Sequence, residues 1–205
     1  MSAKKDALVN IGGFIALKNE QLYEELTTKL ILVEGFRTYG GLAGRDLEAM
    51  ARGLQEVMNF DYLNYRIRQV KFLGDELTAA GIPIMKPVGG HAVYLDARKI
   101  APHIPQEQFP GQALTVQLYR EGGIRGVEIG SLMFAHKDEK SGEWKYPKMD
   151  LVRLAIPRRV YTMSHMLYVA DVIKQVVDEK EKLRGLRVVK EPPFLRHFTA
   201  HLEEI

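Results

Sequence analysis

The chain has 205 residues, 46% of them hydrophobic and 27% charged, with a formal net charge of +3. These are the proportions of an ordinary globular protein, long enough for one or two domains with a sizeable core, and they exclude intrinsic disorder. So mild a positive balance, without an arginine-rich stripe or basic tail, argues against nucleic acid or an anionic membrane as partner. The absence of cysteine excludes disulfides, thiolate nucleophiles and cysteine-bound zinc, and fits a reducing cytoplasm. The first residues do not read as a secretory leader, and the longest apolar runs are a few residues, far short of a membrane span. A soluble, cytoplasmic protein is the expectation.

In chain order, residues 7–17 read as extended and apolar, punctuated by Gly12-Gly13, and the run Ala7-Leu8-Val9 is compatible with a strand of a buried sheet. Asn19 is placed to cap a helix over 20–33, where Leu22, Leu26, Leu30 and Val33 fall on one face. Glu34 to Gly44 is a glycine-rich loop. A second helix starts near Asp46, with Leu47, Met50, Leu54 and Val57 as its apolar stripe. Asp61 is read as the cap of a third helix that ends before Gly81, with Ile67, Val70, Leu73 or Gly74, and Leu77 along one side. A long helix between two glycine-marked regions suits a connector between domains.

From Gly81 the pattern changes. Ile82–Met85 and His91–Asp96 are short β-like runs. Pro110 opens a helix that runs toward Gly122-Gly123. Ile124–Gly130 and Ser131–Ala135 read as a strand pair or a bent strand, and His136 to Pro147 as a polar hairpin loop. Met149–Ile156 is the clearest strand and Met163–Leu183 the best helix, with Gly185 just past its end. Leu186–Val189 is a further strand, and Pro192-Pro193 breaks the chain before a short terminal element. Strands and helices mixed in this way form an α/β unit. No internal repeat or low-complexity segment is present.

Two residue patterns carry chemistry on their own terms. Lys4 and Lys5 are adjacent, and a lysine desolvated beside another cation is a good amine nucleophile at neutral pH; the competing reading is a solvated pair on a loose end. Arg153 alternates with Leu151 and Ala155 on one face of its strand, so it is expected to point where apolar side chains point. An anionic partner is then required, either a bound carboxylate or an internal Asp or Glu. Gly40-Gly41-Leu-Ala-Gly44-Arg45 is neither a Walker loop nor a dinucleotide fingerprint and reads as a turn and domain contact. The six histidines show no metal spacing. His103, His136 and His165 are most simply surface residues.

The opening stretch Met1-Ser-Ala-Lys-Lys-Asp-Ala-Leu-Val-Asn-Ile-Gly-Gly-Phe14 resembles the pyridoxal-phosphate lysine segment of the β-eliminating lyases, the family of tryptophanase and tyrosine phenol-lyase. Tyr39-Gly-Gly-Leu-Ala-Gly-Arg-Asp46, Gly89-Gly-His-Ala-Val-Tyr-Leu-Asp96, Val152-Arg-Leu-Ala-Ile-Pro-Arg158 and Leu195-Arg-His-Phe-Thr-Ala200 agree with that family in order and spacing. The similarity runs over essentially the whole chain and covers the later half of a family member.

The resemblance implies a fold-type-I pyridoxal-phosphate transferase-like α/β fold. Residues 1–60 would end the large cofactor-binding domain, 61–80 would be a connecting helix, and 81–205 the small C-terminal α/β domain. It implies that Lys5 holds pyridoxal 5'-phosphate covalently and then serves as base for the α-proton of the substrate. Ser2 would bind the cofactor phosphate, and Lys4 would order the site. Arg153 would bind the substrate α-carboxylate. Ile129 stands where phenol-lyases carry an arginine aimed at the phenol, and His197 matches the histidine of tryptophanases. Both positions favour tryptophan over tyrosine. Asn10 matches a backbone ligand of a monovalent cation, normally potassium.

The function implied is β-elimination of tryptophan to indole, pyruvate and ammonia, as part of a complete site in a homo-oligomer. A second chain supplying the first half of the enzyme is the expected complement, because the aspartate facing the pyridine nitrogen, the stacking aromatic and most phosphate ligands belong to that half. The alternative expectation is a truncated, inactive lyase-like domain acting as an assembly module. A further one is a tyrosine phenol-lyase.

Overall fold

A computed structural model describes all residues, 1–205. The chain divides into two compact units, Met1–Tyr65 and Arg66–Ile205.

In the first unit the chain folds back on itself at once. The Phe14 N–H donates to Met1 O at 3.1 Å, the Ala3 N–H donates to Gly12 O at 2.9 Å, and Ser2 and Gly13 form an isolated antiparallel bridge. Gly12 turns the chain with φ +97°, a conformation that costs a glycine nothing and a side chain much. Inside this loop Ala3–Asp6 form one helical turn, α1. The strand expected near residues 7–9 is not formed; the bridge in this loop is the isolated one between Ser2 and Gly13. Helix α2 (Glu20–Val33) starts where expected, with Asn19 Oδ1 accepting the Leu22 N–H at 2.9 Å. None of its residues is buried, so its apolar stripe stays exposed. Helix α3 (Gly44–Glu56) lays Met50 against Ala3, Ala7 and Val9, with Leu42 and Leu54 at the edge. A Cβ on Gly53 would stand 2.8 Å from Leu8 O, so only glycine admits this approach.

Helix α4 (Phe60–Ala79) contains the boundary between the units. It is Asn59, not Asp61, that caps it, accepting the Tyr62 N–H at 3.0 Å; Asp61 already lies inside the first turn. Val70, Leu73 and Leu77 are buried as the spacing predicts, whereas Ile67 is exposed.

The second unit is mixed α/β. In chain order come β1 (Ala92–Asp96), α5 (Ala97–Ile100), α6 (Pro110–Gly122), β2 (Val127–Ile129), α7 (Ser131–Phe134), β3 (His136–Lys137), β4 (Trp144–Lys145), β5 (Leu151–Ala155), α8 (Met163–Asp178), β6 (Leu186–Lys190), α9 (Arg196–Thr199) and β7 (His201–Glu204). An antiparallel sheet runs in the order β1-β5-β2, with β3-β4 and β6-β7 as two-stranded ribbons. Val93, Leu95, Val152 and Leu154 share one core with Leu114 and Leu118 of α6 and Ile173 and Val176 of α8. A Cβ on Gly122 would lie 2.6 Å from Val172 Cγ1, so α8 closes tightly on the end of α6.

Two expectations are corrected here, and the short terminal element takes a definite form. Ile82–Met85 contributes only an isolated bridge from Ile84 to Leu95. Ser131–Ala135 is not a strand; residues 131–134 form α7, because two buried carboxylates take up its first backbone N–H groups. The terminal element is a one-turn helix followed by a strand, β7, which pairs with β6.

Candidate active site

Ser2, Lys4 and Lys5 are brought together on the turn of α1, where the Lys5 N–H donates to Ser2 O at 3.1 Å. Ala3 faces inward and anchors the turn; Ser2 is half-buried, and Lys4 and Lys5 are exposed. The expected desolvated lysine pair is therefore not what the fold builds. Consecutive helical residues point about 100° apart, so the two stems diverge. An accessible primary amine beside a hydroxyl and a second ammonium is a donor set that fits an aldehyde bearing a phosphate. Asn10 is exposed on the loop that returns to Gly13. No group of three or more His, Asp or Glu side chains is disposed to hold a metal ion.

The remaining candidates lie in the second unit. Arg153 pairs with Tyr94 on β1 and with Val127 on β2, and Ile129 pairs with Leu151. Side chains at paired positions share a face, so Tyr94, Arg153 and Ile129 stand together on one side of the sheet. That side is opposite to Val152 and Leu154, which enter the main core. The expectation that Arg153 points among apolar core side chains is thus corrected. The strand is covered on both faces near Leu151, and alternation alone does not tell which face is the core. Arg153 is half-buried, and its Nε–H is buried without a hydrogen-bond partner. A guanidinium held this way has an open demand for an anion. No internal carboxylate meets it at Nε.

His197 lies on α9, with its ring 4.0 Å from that of Phe198. Its neighbour Arg196 fixes α9 to α7. Nε donates to Leu132 O at 2.8 Å, and Nη2 donates to Ser131 O at 2.8 Å and Ala135 O at 3.0 Å. Helix α7 follows Ile129 after one residue. Its N–H groups are held by Glu128, which accepts from Leu132 at 3.0 Å and Met133 at 3.2 Å, and by Asp150, which accepts from Ser131 at 2.6 Å. Gln106 Nε2 donates to Asp150 Oδ2 at 2.7 Å. Burial pushes the Glu128 carboxyl up to about 7, with nearby Asp150 adding to the rise and the backbone donors opposing it. Glu128, Asp150 and Arg196 were not singled out from the sequence. The signal for Glu128 was there: within Val127-Glu128-Ile129 alternation sends the acid to the face opposite Ile129.

The first unit by itself offers an accessible amine on a tight turn, and the second by itself offers an arginine with an unfilled demand for an anion and an aliphatic residue on the same sheet face. A family model described as beta-eliminating lyase matches residues 1–172. The chain belongs to the beta-eliminating lyase family. The fold-type-I expectation stands with that membership. A tryptophanase from Hyphomonas neptunium is 56% identical over 205 residues, which is 100% of this chain and 45% of the relative. A tryptophanase from Salinibacter ruber is 57% identical over 202 residues, 98% of this chain and 42% of its own length. A tyrosine phenol-lyase from Symbiobacterium is 53% identical over 205 residues, 100% of this chain and 44% of its own. The chain therefore spans less than half the length of these β-eliminating lyases. No helix of the chain is long and apolar enough to cross a membrane.

Proposed function

We propose that this chain supplies the lysine-bearing and substrate-recognising part of a pyridoxal-phosphate-dependent tryptophan β-lyase site in the cytoplasm, releasing indole, pyruvate and ammonia. The observation that carries the reading is the partnerless Nε–H of Arg153, on the same sheet face as Ile129. Lys5 Nζ would hold the cofactor, with the Ser2 hydroxyl and the Lys4 ammonium serving its phosphate. Pyridoxal phosphate, when bound, supplies an electron sink for negative charge at the substrate α-carbon. Once the incoming amino group has taken its place on the cofactor, the freed Lys5 Nζ would accept the α-proton. Arg153 grips the α-carboxylate with two N–H donors, which fixes the amino acid in register. Ile129 offers an aliphatic wall, which suits indole and cannot hydrogen-bond a phenol. His197 orients the ring at the other side of the substrate. A potassium ion on the Asn10 carbonyl belongs to the same reading, as does a homo-oligomer completed by a chain carrying the first half of the family fold.

The test is reduction with borohydride in the presence of pyridoxal phosphate, followed by peptide mapping. A label on Lys5 that is absent in Lys5→Ala supports the reading. Failure to label Lys5, even with the complementary half of a relative added, overturns it. The same mixture, given tryptophan, should release indole only when the complementary half is present.

The exposed apolar side chains of α2, with Leu32 80% and Val33 78% exposed, favour a second reading, an inactive module that associates through this helix. Sedimentation without cofactor separates the two: association that persists in Lys5→Ala while labelling is absent in the native chain favours the module.

A further inference from the structure

We propose that Arg196 is a positioning residue that fixes α9, and with it His197, by clamping it onto α7, the helix that follows Ile129; the role assigned to His197 and Ile129 rests on the substrate reading above.

Helix α9 has four residues. A single turn does not hold its shape alone, because nucleation costs more than one turn returns. It follows Pro192-Pro193, and it is entered through Leu195 at φ +56°, an unfavourable conformation for a branched side chain. The side-chain hydrogen bonds that tie α9 to the rest of the unit are those of Arg196 to Leu132 O, Ser131 O and Ala135 O. The side chain is only 14% exposed. Its guanidinium lies 4.9 Å from the Trp144 ring centroid and 5.7 Å from that of Phe109. Glu191 stands 3.8 Å away, the carboxylate nearest this cation.

The other end of the clamp is equally fixed. Arg196 bonds the carbonyls of this turn from outside it, sharing Ser131 O with the Ala135 N–H. The first N–H groups of α7 are taken by Asp150 and Glu128, whose own strand carries Ile129. From Ile129 to His197 the path is therefore a half-turn of backbone, a helix held at both ends, one guanidinium and one peptide. A lysine cannot reproduce it. Its compact ammonium lacks the planar fork that reaches carbonyls on both sides of the turn.

The test compares the native chain with Arg196→Ala, Arg196→Lys and, as a control, Arg120→Ala, which breaks the Arg120–Glu204 ion pair holding β7 without touching α9. Two measurements are made on each by NMR: amide exchange through α9 with the His197–Phe198 ring contact, and titration with indole. In Arg196→Ala, α9 amides should exchange at least about tenfold faster while α6 and α8 keep their protection, and the ring contact should be lost. Arg196→Lys should be intermediate and Arg120→Ala native-like. Indole should perturb Ile129 and His197 in the native chain and bind about tenfold more weakly to Arg196→Ala. Unchanged exchange in Arg196→Ala, or equal loosening in Arg120→Ala, overturns the clamp. If indole perturbs neither residue in the native chain, the substrate reading fails, and exchange and ring contact alone decide the clamp. If indole binds the native chain and Arg196→Ala equally well, the positioning role is overturned.

Discussion

The Glu128 carboxylate accepts the backbone N–H of Leu132 at 3.0 Å, so a buried acid on one strand closes the first turn of the helix that follows it. Burial raises its pKa from 4.5 to about 7. Between those values the folded chain keeps a proton that the unfolded chain releases. The sign follows: this contribution to stability is full below pH 4.5 and is lost as the pH rises through about 7. The loss is on the order of 3 kcal/mol. Urea unfolding at intervals from pH 4.5 to 8 should show the decline, and Glu128→Gln should flatten it.

Gly130 sits between the same two acids. A Cβ there would meet Asp150 Oδ1 at 2.5 Å and Glu128 Oε1 at 2.7 Å, neither of which can retreat without releasing α7. Gly130→Ala should cost about 2 kcal/mol, by the strain of overpacking. At Gly44 an added Cβ meets nothing within 4 Å, so Gly44→Ala should change stability by no more than about 0.5 kcal/mol. Parallel chemical denaturation of the two variants checks the contrast.

Arg153 carries a buried donor, its Nε–H, with no hydrogen-bond partner within the chain. Replacing it with methionine removes that unmet demand while keeping an apolar stem. The Arg153→Met chain should be as stable as the native one or more stable by up to about 1 kcal/mol. It should also lose any rise in melting temperature produced by millimolar tryptophan. Thermal scans with and without the amino acid test both parts; a destabilisation above about 2 kcal/mol would mean that Arg153 is needed for the fold itself.

The buried cluster of the first unit is Ala3, Ala7, Val9 and Met50, whereas that of the second joins α4, α6, α8 and the sheet. Local opening follows such differences in buried apolar contact. Amides of α1 and α3 should exchange well before those of α6 and α8 when hydrogen exchange is followed by mass spectrometry, and Met50→Ala should widen the gap.

The sequence by itself determined what is decided within a few residues. Asn19 caps α2 because its side chain reaches an N–H three residues on, and Pro110 opens α6 because its fixed φ suits a first turn. The short, largely apolar run Leu151–Ala155 reads as a strand from its own pattern. The lysine turn and the arginine position were legible through the motifs they share with a family.

Tertiary structure decided the rest. Ser131–Phe134 is a helix because Asp150, 19 residues away, takes its first N–H, and no local pattern records that. His201–Glu204 is a strand because β6 offers it an edge. Lys5 is exposed because Ala3, not the lysine, is the residue the turn buries. Which face of β5 holds Arg153 depends on its pairing with β1 and β2, and that Arg196 anchors α9 depends on hydrogen bonds spanning more than sixty positions. Short-range preference acts through the backbone of neighbouring residues. A site is assembled from side chains whose partners are chosen only when distant segments pack.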